Sequence, residues 1–508
     1  MSYFPSIFSP RNEVTISTQT KELISGLRTL FEPKSLAMIG ASNNPAKWGF
    51  RILDNIVVGG FQGRIYPVNI NPASPEILGL KVYRRMADLP EVPDIAVIVV
   101  PPPAVPQVMR DCAAKGIKVA VVVTAGFSEV GGEGERLQQD IVAIARSSGI
   151  RFVGPNSFGI LNPHHRLYSQ MPPLFPPPGP FSIISQSGNI IGTISRLLIE
   201  RAYGCSKCVS IGNQADLCAE DYLEFFSQDT QIKVILCYIE GFKDGARFFN
   251  LAKETSKKKP IILLKAGETT AGARAAKSHT ASLAGSDAIL DAMCRQAGVV
   301  RVRTLDDLVD TAIAFLRQPL PRRRRVGIVT AGGGWGVLAA DACDHLGLDI
   351  VTLPPEIIDE LDSFMPAWWN RGNPVDLVAG GGRDAILRAI EILMRCPVVD
   401  GVIMLGLMPA LGLARIDRAF NNQQISRDMV REAIVEETGV LFDQLNDLSD
   451  RYHKPVIVAS EPIAFGAQFA RKIAHAIADR NTVCYEMPHQ AAAVFARLAQ
   501  YSEYRNQE

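Results

Sequence analysis

One histidine of this chain lies among residues that suit chemistry on a phosphoryl group. His279 stands in residues 277–286 (KSHTASLAGS), where its neighbours are small or carry hydroxyl groups and almost no apolar bulk is present. An accessible imidazole in such surroundings can act as a nucleophile toward a phosphoryl group. The alternative, a histidine packed in the protein core, stays open on the residues alone.

A nucleophilic imidazole needs a carboxylate that fixes its tautomer. Glu240 ends the apolar run 234–240 (VILCYIE), which is typical of a buried parallel strand. Because functional groups collect at the carboxyl ends of the strands in α/β sheets, Glu240 is the best-placed partner for His279. The alternative is a solvated carboxylate at the end of a strand.

A turn rich in hydroxyl groups follows the apolar run 181–184 (FSII). It contains Ser185, Gln186, Ser187 and Gly188, and a helical pattern begins directly after it. Backbone N–H groups at a glycine turn and the N-terminus of the following helix together favour an anion. We therefore expect this turn to cradle an anion.

A second turn of this kind follows the run 35–39 (SLAMI). Gly40 opens it, Ser42 adds a hydroxyl group, and Lys47 adds a positive charge just before a helical pattern that begins near Trp48. These features predict a site for a phosphate-bearing ligand. An ordinary strand-to-helix turn is the alternative, because the spacing matches neither the G-x-G-x-x-G fingerprint nor a Walker A loop.

The elements that must position these residues follow from the hydrophobic pattern. Val/Ile-rich runs alternate with glycine or serine turns and amphipathic stretches, which is typical of parallel sheets covered by helices on both faces. The predicted fold is α/β, with three Rossmann-like or flavodoxin-like parallel-sheet domains in series. A proline-rich connector and an arginine-rich connector separate them. The predicted domains and the helical tail after them are 20–165, 180–318, 325–480 and 481–508.

Composition restricts the class of protein further. The 508 residues carry 53 Lys+Arg and 52 Asp+Glu, a balance that argues against a nucleic-acid partner. No run reaches the roughly 18 apolar residues of a membrane span, and the N-terminus lacks a signal-peptide core, so we expect a cytoplasmic protein.

The nine cysteines include one close pair, Cys205 and Cys208. The absence of a second pair at zinc spacing favours buried, reduced thiols over a metal or redox site, and we predict no metal ligands in this chain.

Several motifs in register resemble one family of ligases. The resemblance to the CoA-binding domain of nucleoside-diphosphate-forming acyl-CoA synthetases, relatives of succinyl-CoA synthetase, rests on FEPKSLAMIGAS, IYPVNINP, VVPPPAVPQVM, VVVTAGFSEVGGEG and GPNSFGILNP. The resemblance to that family's phosphohistidine domain rests on SIISQSGNIIG, VSIGNQADL, YIEGFKDG and KSHTASLAGS. The resemblance to the flavodoxin-like third domain of the ADP-forming acetate–CoA ligase branch rests on VGIVTAGGGWGVLAADA and GNPVDL.

The resemblance implies a CoA site in the first domain. It implies that Gly40, Ser42 and Lys47 line the site for a CoA phosphate. Asn69 and Asn71 of the motif VNINP would lie at the next loop, near the nucleotide portion of CoA.

The resemblance also implies the chemistry of the second domain. His279 would be the histidine that is transiently phosphorylated, and Glu240 would be the acid beside it. The turn at 185–188 would hold the phosphoryl oxygens. The implied reaction is acid + CoA + ATP ⇌ acyl-CoA + ADP + phosphate, through an acyl phosphate and phosphorylated His279.

The family also needs an ATP-grasp module for ATP/ADP and Mg²⁺. Residues 452–508 contain neither a glycine-rich nucleotide loop nor paired metal carboxylates. We therefore expect an alpha subunit with a separate ATP-grasp beta subunit, in an α2β2 heterotetramer that acts on CoA and a carboxylic acid.

Two other functions stay open. A non-catalytic CoA-binding regulatory module would keep the turn at 40–49 but would not need His279 in its motif. A nicotinamide-dependent oxidoreductase would use the first domain, yet Asn69 or Asn71 stands where an acidic residue is expected to hold the ribose hydroxyls.

Overall fold

The computed structural model describes residues 18–269, 271–272, 274, 287–378, 382–406, 427–460, 476–477, 480 and 484–507. These residues form α-helices around three mostly parallel sheets, which have five, seven and six strands in the described part of the chain. The predicted α/β class with three such sheets in series is therefore confirmed. His279 lies outside the described residues.

The first sheet is entirely parallel, in the order β2-β1-β5-β6-β7. Its strands are β1 (Ser35–Ile39), β2 (Arg64–Val68), β5 (Ile95–Ile98), β6 (Val119–Val122) and β7 (Arg151–Val153). The other elements are the short hairpin β3 (Glu76–Ile77) and β4 (Leu80–Lys81), and helices α1 (Thr18–Phe31), α2 (Trp48–Val58), α3 (Val105–Lys115) and α4 (Glu133–Ser148). The strand order reverses at β1, so the crevice beside the carboxyl end of β1 is a topological switch point.

The second sheet has the order β14-β13-β12-β10-β11-β8-β9. Its strands are β8 (Gly159–Asn162), β9 (Leu167–Gln170), β10 (Pro178–Ser185), β11 (Cys205–Ser210), β12 (Val234–Ile239), β13 (Ile261–Lys265) and β14 (Val300–Val302). Its helices are α5 (Gly188–Glu200), α6 (Ala219–Gln228), α7 (Gly245–Ser256), α8 (Asp287–Ala297) and α9 (Leu305–Arg317). In the described part of this sheet, β8 pairs antiparallel with both β11 and β9, and the other strand pairs are parallel.

The third sheet has the order β16-β15-β18-β19-β20, with β17 paired to β15. Its strands are β15 (Arg325–Thr330), β16 (Asp349–Ile350), β17 (Val375–Asp376), β18 (Gly401–Leu405), β19 (Val456–Ala459) and β20 (Cys484–Tyr485). Its helices are α10 (Gly333–His345), α11 (Pro355–Asp362), α12 (Arg383–Arg395), α13 (Arg427–Tyr452) and α14 (Pro488–Asn506).

The strands are buried because their sequences are continuous apolar runs. Every residue of β1, β5 and β6 is buried, as expected of a sheet covered on both faces. Helix α3 ends where Gly116 takes a left-handed φ of 93°, a common C-terminal stop. No helix in the described ranges combines the length and the apolar character that crossing a bilayer requires.

The hairpin β8–β9 belongs to the second sheet. Leu161 of β8 pairs with Cys208 of β11, and the Asn162 amide donates to the Phe31 carbonyl at 3.0 Å. Residues 159–162 form β8 in the second sheet, although the sequence analysis assigned them to the first domain. The remaining domain boundaries stay predictions.

The segment predicted as a helical tail packs against two sheets. Before α14, residues Cys484–Tyr485 add the strand β20 to the third sheet. From α14, Glu503 pairs with Arg324 of the arginine-rich connector at 2.8 Å, and Arg497 pairs with Asp307 of α9 at 2.7 Å. Helix α14 therefore links the second and third sheets.

Candidate active site

Two glycines bring backbone segments into contact at the carboxyl end of β1. Gly40 has a φ of 92°, and a Cβ there would lie 2.7 Å from the Val99 carbonyl carbon after β5. Gly49, in the first turn of α2, faces the Gly40 carbonyl so closely that a Cβ would overlap its oxygen. The first turn of α2 therefore approaches the ends of two strands, as a helix in a phosphate cradle must.

The turn between these glycines leaves the start of α2 open. The Ser42 hydroxyl accepts a hydrogen bond from the Asn44 N–H at 3.1 Å, and the Asn44 side chain accepts from the Ala46 N–H at 2.9 Å. Lys47 is the N-cap residue, with an extended backbone and no side-chain cap. Its side chain is exposed, so both its charge and the first N–H groups of α2 are available to an anion.

The loop after β2 lies beside this turn. The Asn69 amide donates to the Ala41 carbonyl at 2.7 Å, and its side-chain oxygen accepts from the Asn71 N–H at 2.9 Å. Asn69 thus braces the two loops against each other, while Asn71 is exposed. The structure brings together the five residues predicted for this site at one edge of the first sheet.

Two exposed apolar side chains beside this site were not predicted. Trp48 is 42% exposed, with the Arg51 guanidinium 4.9 Å from the ring centroid, and Ile70 is 74% exposed. An apolar surface next to an anion cradle suits a ligand that has both a phosphate and a less polar part. Single exposed residues of this kind have no sequence motif, so only the fold identifies them.

The second cradle lies at the carboxyl end of β10. The Ser185 hydroxyl donates to the Ser187 carbonyl at 2.7 Å, and Ser187 caps α5 without a side-chain hydrogen bond. A Cβ at Gly188 would overlap the Phe158 ring, so only glycine fits there. The first N–H groups of α5 face the turn, as at α2.

Gln186, expected among the residues that hold an anion, uses its side-chain oxygen for a contact with the backbone after β12. Its Oε1 accepts hydrogen bonds from the Glu240 N–H and, at 2.8 Å, from the Gly241 N–H. The amide of Gln214 donates to the Gly241 carbonyl at 3.3 Å. The backbone that carries Glu240 is therefore held by two glutamine side chains.

Glu240 lies where the sequence pattern placed it, directly after β12 and beside the cradle. Ser185 of β10 pairs with Tyr238 of β12, so the turn after β10 and Glu240 after β12 lie at the same edge of the sheet. Glu240 is 5% exposed. Burial, and second the charge of Glu240, raise the pKa of Tyr238 to about 12. A buried carboxylate at this edge can orient and stabilise a neighbouring cation.

Arg301 of β14 forms ion pairs with carboxylates that precede and that follow residues 275–286 in the sequence. Its guanidinium contacts Glu268 at 2.8 Å and also contacts Asp287 and Asp291 of α8. The hydrogen bond from Arg301 lowers the pKa of Asp287. The residues before and after the predicted phosphohistidine segment therefore meet at one arginine. Sequence reasoning missed this cluster because no local pattern pairs β14 with α8.

The loops of the first and second sheets also meet. The Asn213 amide, after β11, donates to Glu129, after β6, at 2.5 Å and to Gln138 at 3.0 Å. Burial works to raise the pKa of Glu129, but hydrogen bonds from Asn213 and from the Gly126 N–H lower it on balance. The carboxyl edges that carry the two cradles are thus joined by a polar contact.

The described residues contain no cluster of three or more His, Cys, Asp and Glu side chains that could hold a metal ion. All nine cysteines are free, and Cys205 and Cys208 are buried in β11. Burial raises the pKa of Cys208 well above its usual value, so its thiol stays protonated.

Three family models match successive parts of the chain. Residues 34–163 match a CoA binding domain, residues 178–315 a succinyl-CoA ligase like flavodoxin domain, and residues 326–422 a Ligase-CoA domain. The chain is also 37% identical over 484 residues to the acetate–CoA ligase [ADP-forming] I subunit alpha of Pyrococcus furiosus. The match covers 94% of this chain and 98% of that subunit. The chain belongs to the ADP-forming acetate–CoA ligase family.

Other members of the ligase family differ in how much of their length the chain matches. The chain is 45% identical over 352 residues to the acetate–CoA ligase [ADP-forming] of Methanocaldococcus jannaschii. This match covers 69% of this chain but 49% of that protein. The solved structure of the dinucleotide forming acetyl-coenzyme A synthetase 1 of Ca. Korarchaeum cryptofilum, in complex with phosphate and ADP, superimposes with a TM-score of 0.78 at 33% identity. That match covers 94% of this chain and 97% of the other. The family predicted from the motifs is confirmed, while the roles of individual residues stay predictions.

Proposed function

We propose that this chain is the subunit of an ADP-forming acyl-CoA synthetase that binds CoA and carries the phosphoryl group on His279. The enzyme would catalyse acid + CoA + ATP ⇌ acyl-CoA + ADP + phosphate. The observation that carries this proposal is the match to an alpha subunit over 98% of that subunit's length. Two anion cradles at sheet edges joined by the Asn213–Glu129 contact support it.

The chemistry follows from the weakness of a carboxylate as an electrophile. Transfer of a phosphoryl group from His279 to the acid breaks the N–P bond and forms an acyl phosphate. Attack by the CoA thiolate on the acyl carbon then forms the thioester and expels phosphate. In reverse, phosphate displaces CoA from acyl-CoA, and the acyl phosphate passes its phosphoryl group to His279. Covalent catalysis thus divides one difficult transfer into two easier steps.

The CoA site of the proposal is the turn at the end of β1. The N–H groups of Trp48 and Gly49 would face a CoA phosphate, with Lys47 as a counter-charge and the Ser42 hydroxyl as a further donor. Asn69 and Asn71 would lie near the nucleotide portion. The uncapped N-terminus of α2 and the exposed Lys47 side chain support this placement.

The phosphoryl site of the proposal is the edge shared by β10 and β12. The turn of Ser185, Ser187 and Gly188 would hold phosphoryl oxygens at the N-terminus of α5. Glu240 would orient the His279 ring and stabilise its positive charge. The buried position of Glu240 beside this turn supports these roles.

The nucleotide partner is also a proposal. An ATP-grasp beta subunit would bind ATP/ADP and Mg²⁺ and would form an α2β2 heterotetramer with this chain. The support is that the Pyrococcus furiosus relative, matched along 98% of its length, is named a subunit alpha. Nine free cysteines, seven of them buried, support a reducing, cytoplasmic setting.

The test is reconstitution with purified subunits. The chain with a beta subunit, ATP, Mg²⁺, CoA and acetate, the acid named for the relatives, should form acetyl-CoA and ADP in equal amounts. The chain without the beta subunit should form neither. ADP formation by the pure chain alone would contradict the subunit assignment, and binding of CoA without turnover in the full mixture would favour a regulatory module.

A further inference from the structure

Two buried glutamines hold the successive peptide groups that follow β12. Gln186 is 7% exposed and Gln214 is 4% exposed. The Oε1 of Gln186 accepts from the N–H groups of both Glu240 and Gly241, and the Nε2 of Gln214 donates to the Gly241 carbonyl. The Oε1 of Gln214 accepts from the Ala219 N–H at 3.0 Å, which ties this glutamine to the start of α6.

The Gln186 side chain takes the place of one backbone hydrogen bond between β10 and β12. The parallel ladder between β10 and β12 runs through the pair Ser185–Tyr238 and ends with the Gln186 N–H donating to the Tyr238 carbonyl. In a continuing ladder the next bond would join the Glu240 N–H to the backbone carbonyl of Gln186. The side-chain oxygen takes that N–H instead, so the chain leaves the sheet at Glu240 yet stays fixed to it.

The residue type matters at both positions. Gln186 offers a neutral acceptor to two N–H groups, and Gln214 offers a donor to a carbonyl and an acceptor to an N–H. A carboxylate at position 186 would also accept, but it would place a second negative charge beside Glu240. A buried peptide group left without these partners would lose its hydrogen bonds or move to find others.

We propose that Gln186 and Gln214 are positioning residues that fix the backbone of Glu240 and so aim its carboxylate at the phosphoryl-transfer site. The inference rests on the proposed function, in which Glu240 orients His279. It also gives Gln186 a role in addition to the predicted contact with the phosphoryl group, because its side-chain oxygen already accepts from two N–H groups. Gln186 acts through the N–H groups of Glu240 and Gly241, and Gln214 holds the next peptide group through the Gly241 carbonyl.

The test measures how fast the chain, assembled with its beta subunit, takes up label from radioactive phosphate and acetyl-CoA. Gln186→Met keeps the length of the side chain and removes the acceptor, and it should slow labelling about 10- to 100-fold, the effect of a misplaced catalytic group. The control is Gln170→Met, because Gln170 in β9 is also a buried glutamine whose side chain binds the backbone, through a hydrogen bond that its amide donates to the Leu174 carbonyl. The control should label at the wild-type rate.

A double-mutant cycle separates positioning from general destabilisation. If Gln186 acts through Glu240, Gln186→Met should slow the Glu240→Gln variant by less than about threefold, because the group it positions is already altered. Equal slowing in both backgrounds would overturn the proposal. Gln186→Glu covers the case in which Gln186→Met does not fold. It keeps an acceptor, and its charge should move the acidic limb of the rate–pH profile to higher pH; an unmoved profile would overturn the proposal too.

The two proposals fail in different ways. Wild-type chain that takes up no label from phosphate and acetyl-CoA would contradict the proposed function, and the positioning role would fall with it. Wild-type labelling together with an unchanged rate in folded Gln186→Met would remove only the positioning role. Gln214→Glu, which puts an oxygen against the Gly241 carbonyl, should slow labelling as Gln186→Met does while CoA affinity stays unchanged.

Discussion

Replacing Gly49 by alanine tests the contact between α2 and the end of β1. Alanine normally stabilises a helix over glycine by roughly 0.5–1 kcal/mol. A Cβ at Gly49, however, would overlap the Gly40 carbonyl oxygen and would lie 3.0 Å from its carbon. The backbone of the turn cannot yield as a flexible side chain does, so α2 or the turn must move.

The size of the effect follows from the overlap. A displacement of about 1 Å between packed backbone segments is overpacking, which costs roughly 1–3 kcal/mol. This cost exceeds the gain in helix propensity, so the free energy of unfolding of Gly49→Ala should fall by about 1–2 kcal/mol. Because the moved segment is the start of α2, CoA affinity should fall as well.

Gly26 provides the matched control. It also lies inside a helix, α1, but a Cβ there would meet nothing within 4 Å. Gly26→Ala should therefore be neutral or stabilising in denaturant titration and should leave CoA affinity unchanged in calorimetry. If Gly49→Ala proves as stable and as tight-binding as Gly26→Ala, the close approach of α2 to Gly40 does not build the CoA site.

Two further predictions concern charge. Lys47→Ala should weaken CoA binding by roughly 1–3 kcal/mol, the scale of a charge-assisted contact, whereas Lys34→Ala at the amino end of β1 should not; equal affinities in calorimetry would contradict the placement. Burial raises the pKa of Asp310 from 3.8 to about 6 even though Arg201 lies 3.0 Å away. Between pH 3.8 and about 6, Asp310 keeps its proton in the folded chain but has lost it in the unfolded chain. The contribution of Asp310 to the free energy of unfolding is therefore fully present below pH 3.8 and is lost as the pH rises through about 6. Asp310→Asn should remove this fall, up to about 1.4 kcal/mol per pH unit, and denaturation curves for the two proteins that stay parallel from pH 4 to 7 would contradict it.

Strand positions could be predicted because buried parallel strands are continuous apolar runs. The run 94–100 contains β5, and the run 233–241 contains β12 with Glu240 at its end. The same pattern does not say which sheet a strand joins. The strand β8 follows the first sheet in sequence, but it joins the second sheet by pairing with β11, through residues far apart in the chain such as Leu161 and Cys208.

Some features of the candidate site could likewise be predicted from the sequence, and others could not. The glycine turns at Gly40 and Gly188 could be predicted, since a close backbone approach to a helix start needs glycine and local sequence records it. The contacts of Gln186 and Arg301 could not be predicted. Gln186 looks like part of an anion cradle in sequence, and its contact with Glu240 depends on the register between two strands. Arg301 gains its carboxylates only when β14 and α8 pack together.

The central claim is that the phosphoryl group passes through His279, and labelling tests it most directly. The chain, the proposed beta subunit, radioactive ATP and Mg²⁺ should give a labelled chain without acid or CoA. An N–P bond is labile in acid and stable in base, so the label should disappear in acid and survive alkali. His279→Ala should take up no label and make no acetyl-CoA, while it binds CoA as the wild type does. Acid-stable label, or full turnover by His279→Ala, would contradict the account.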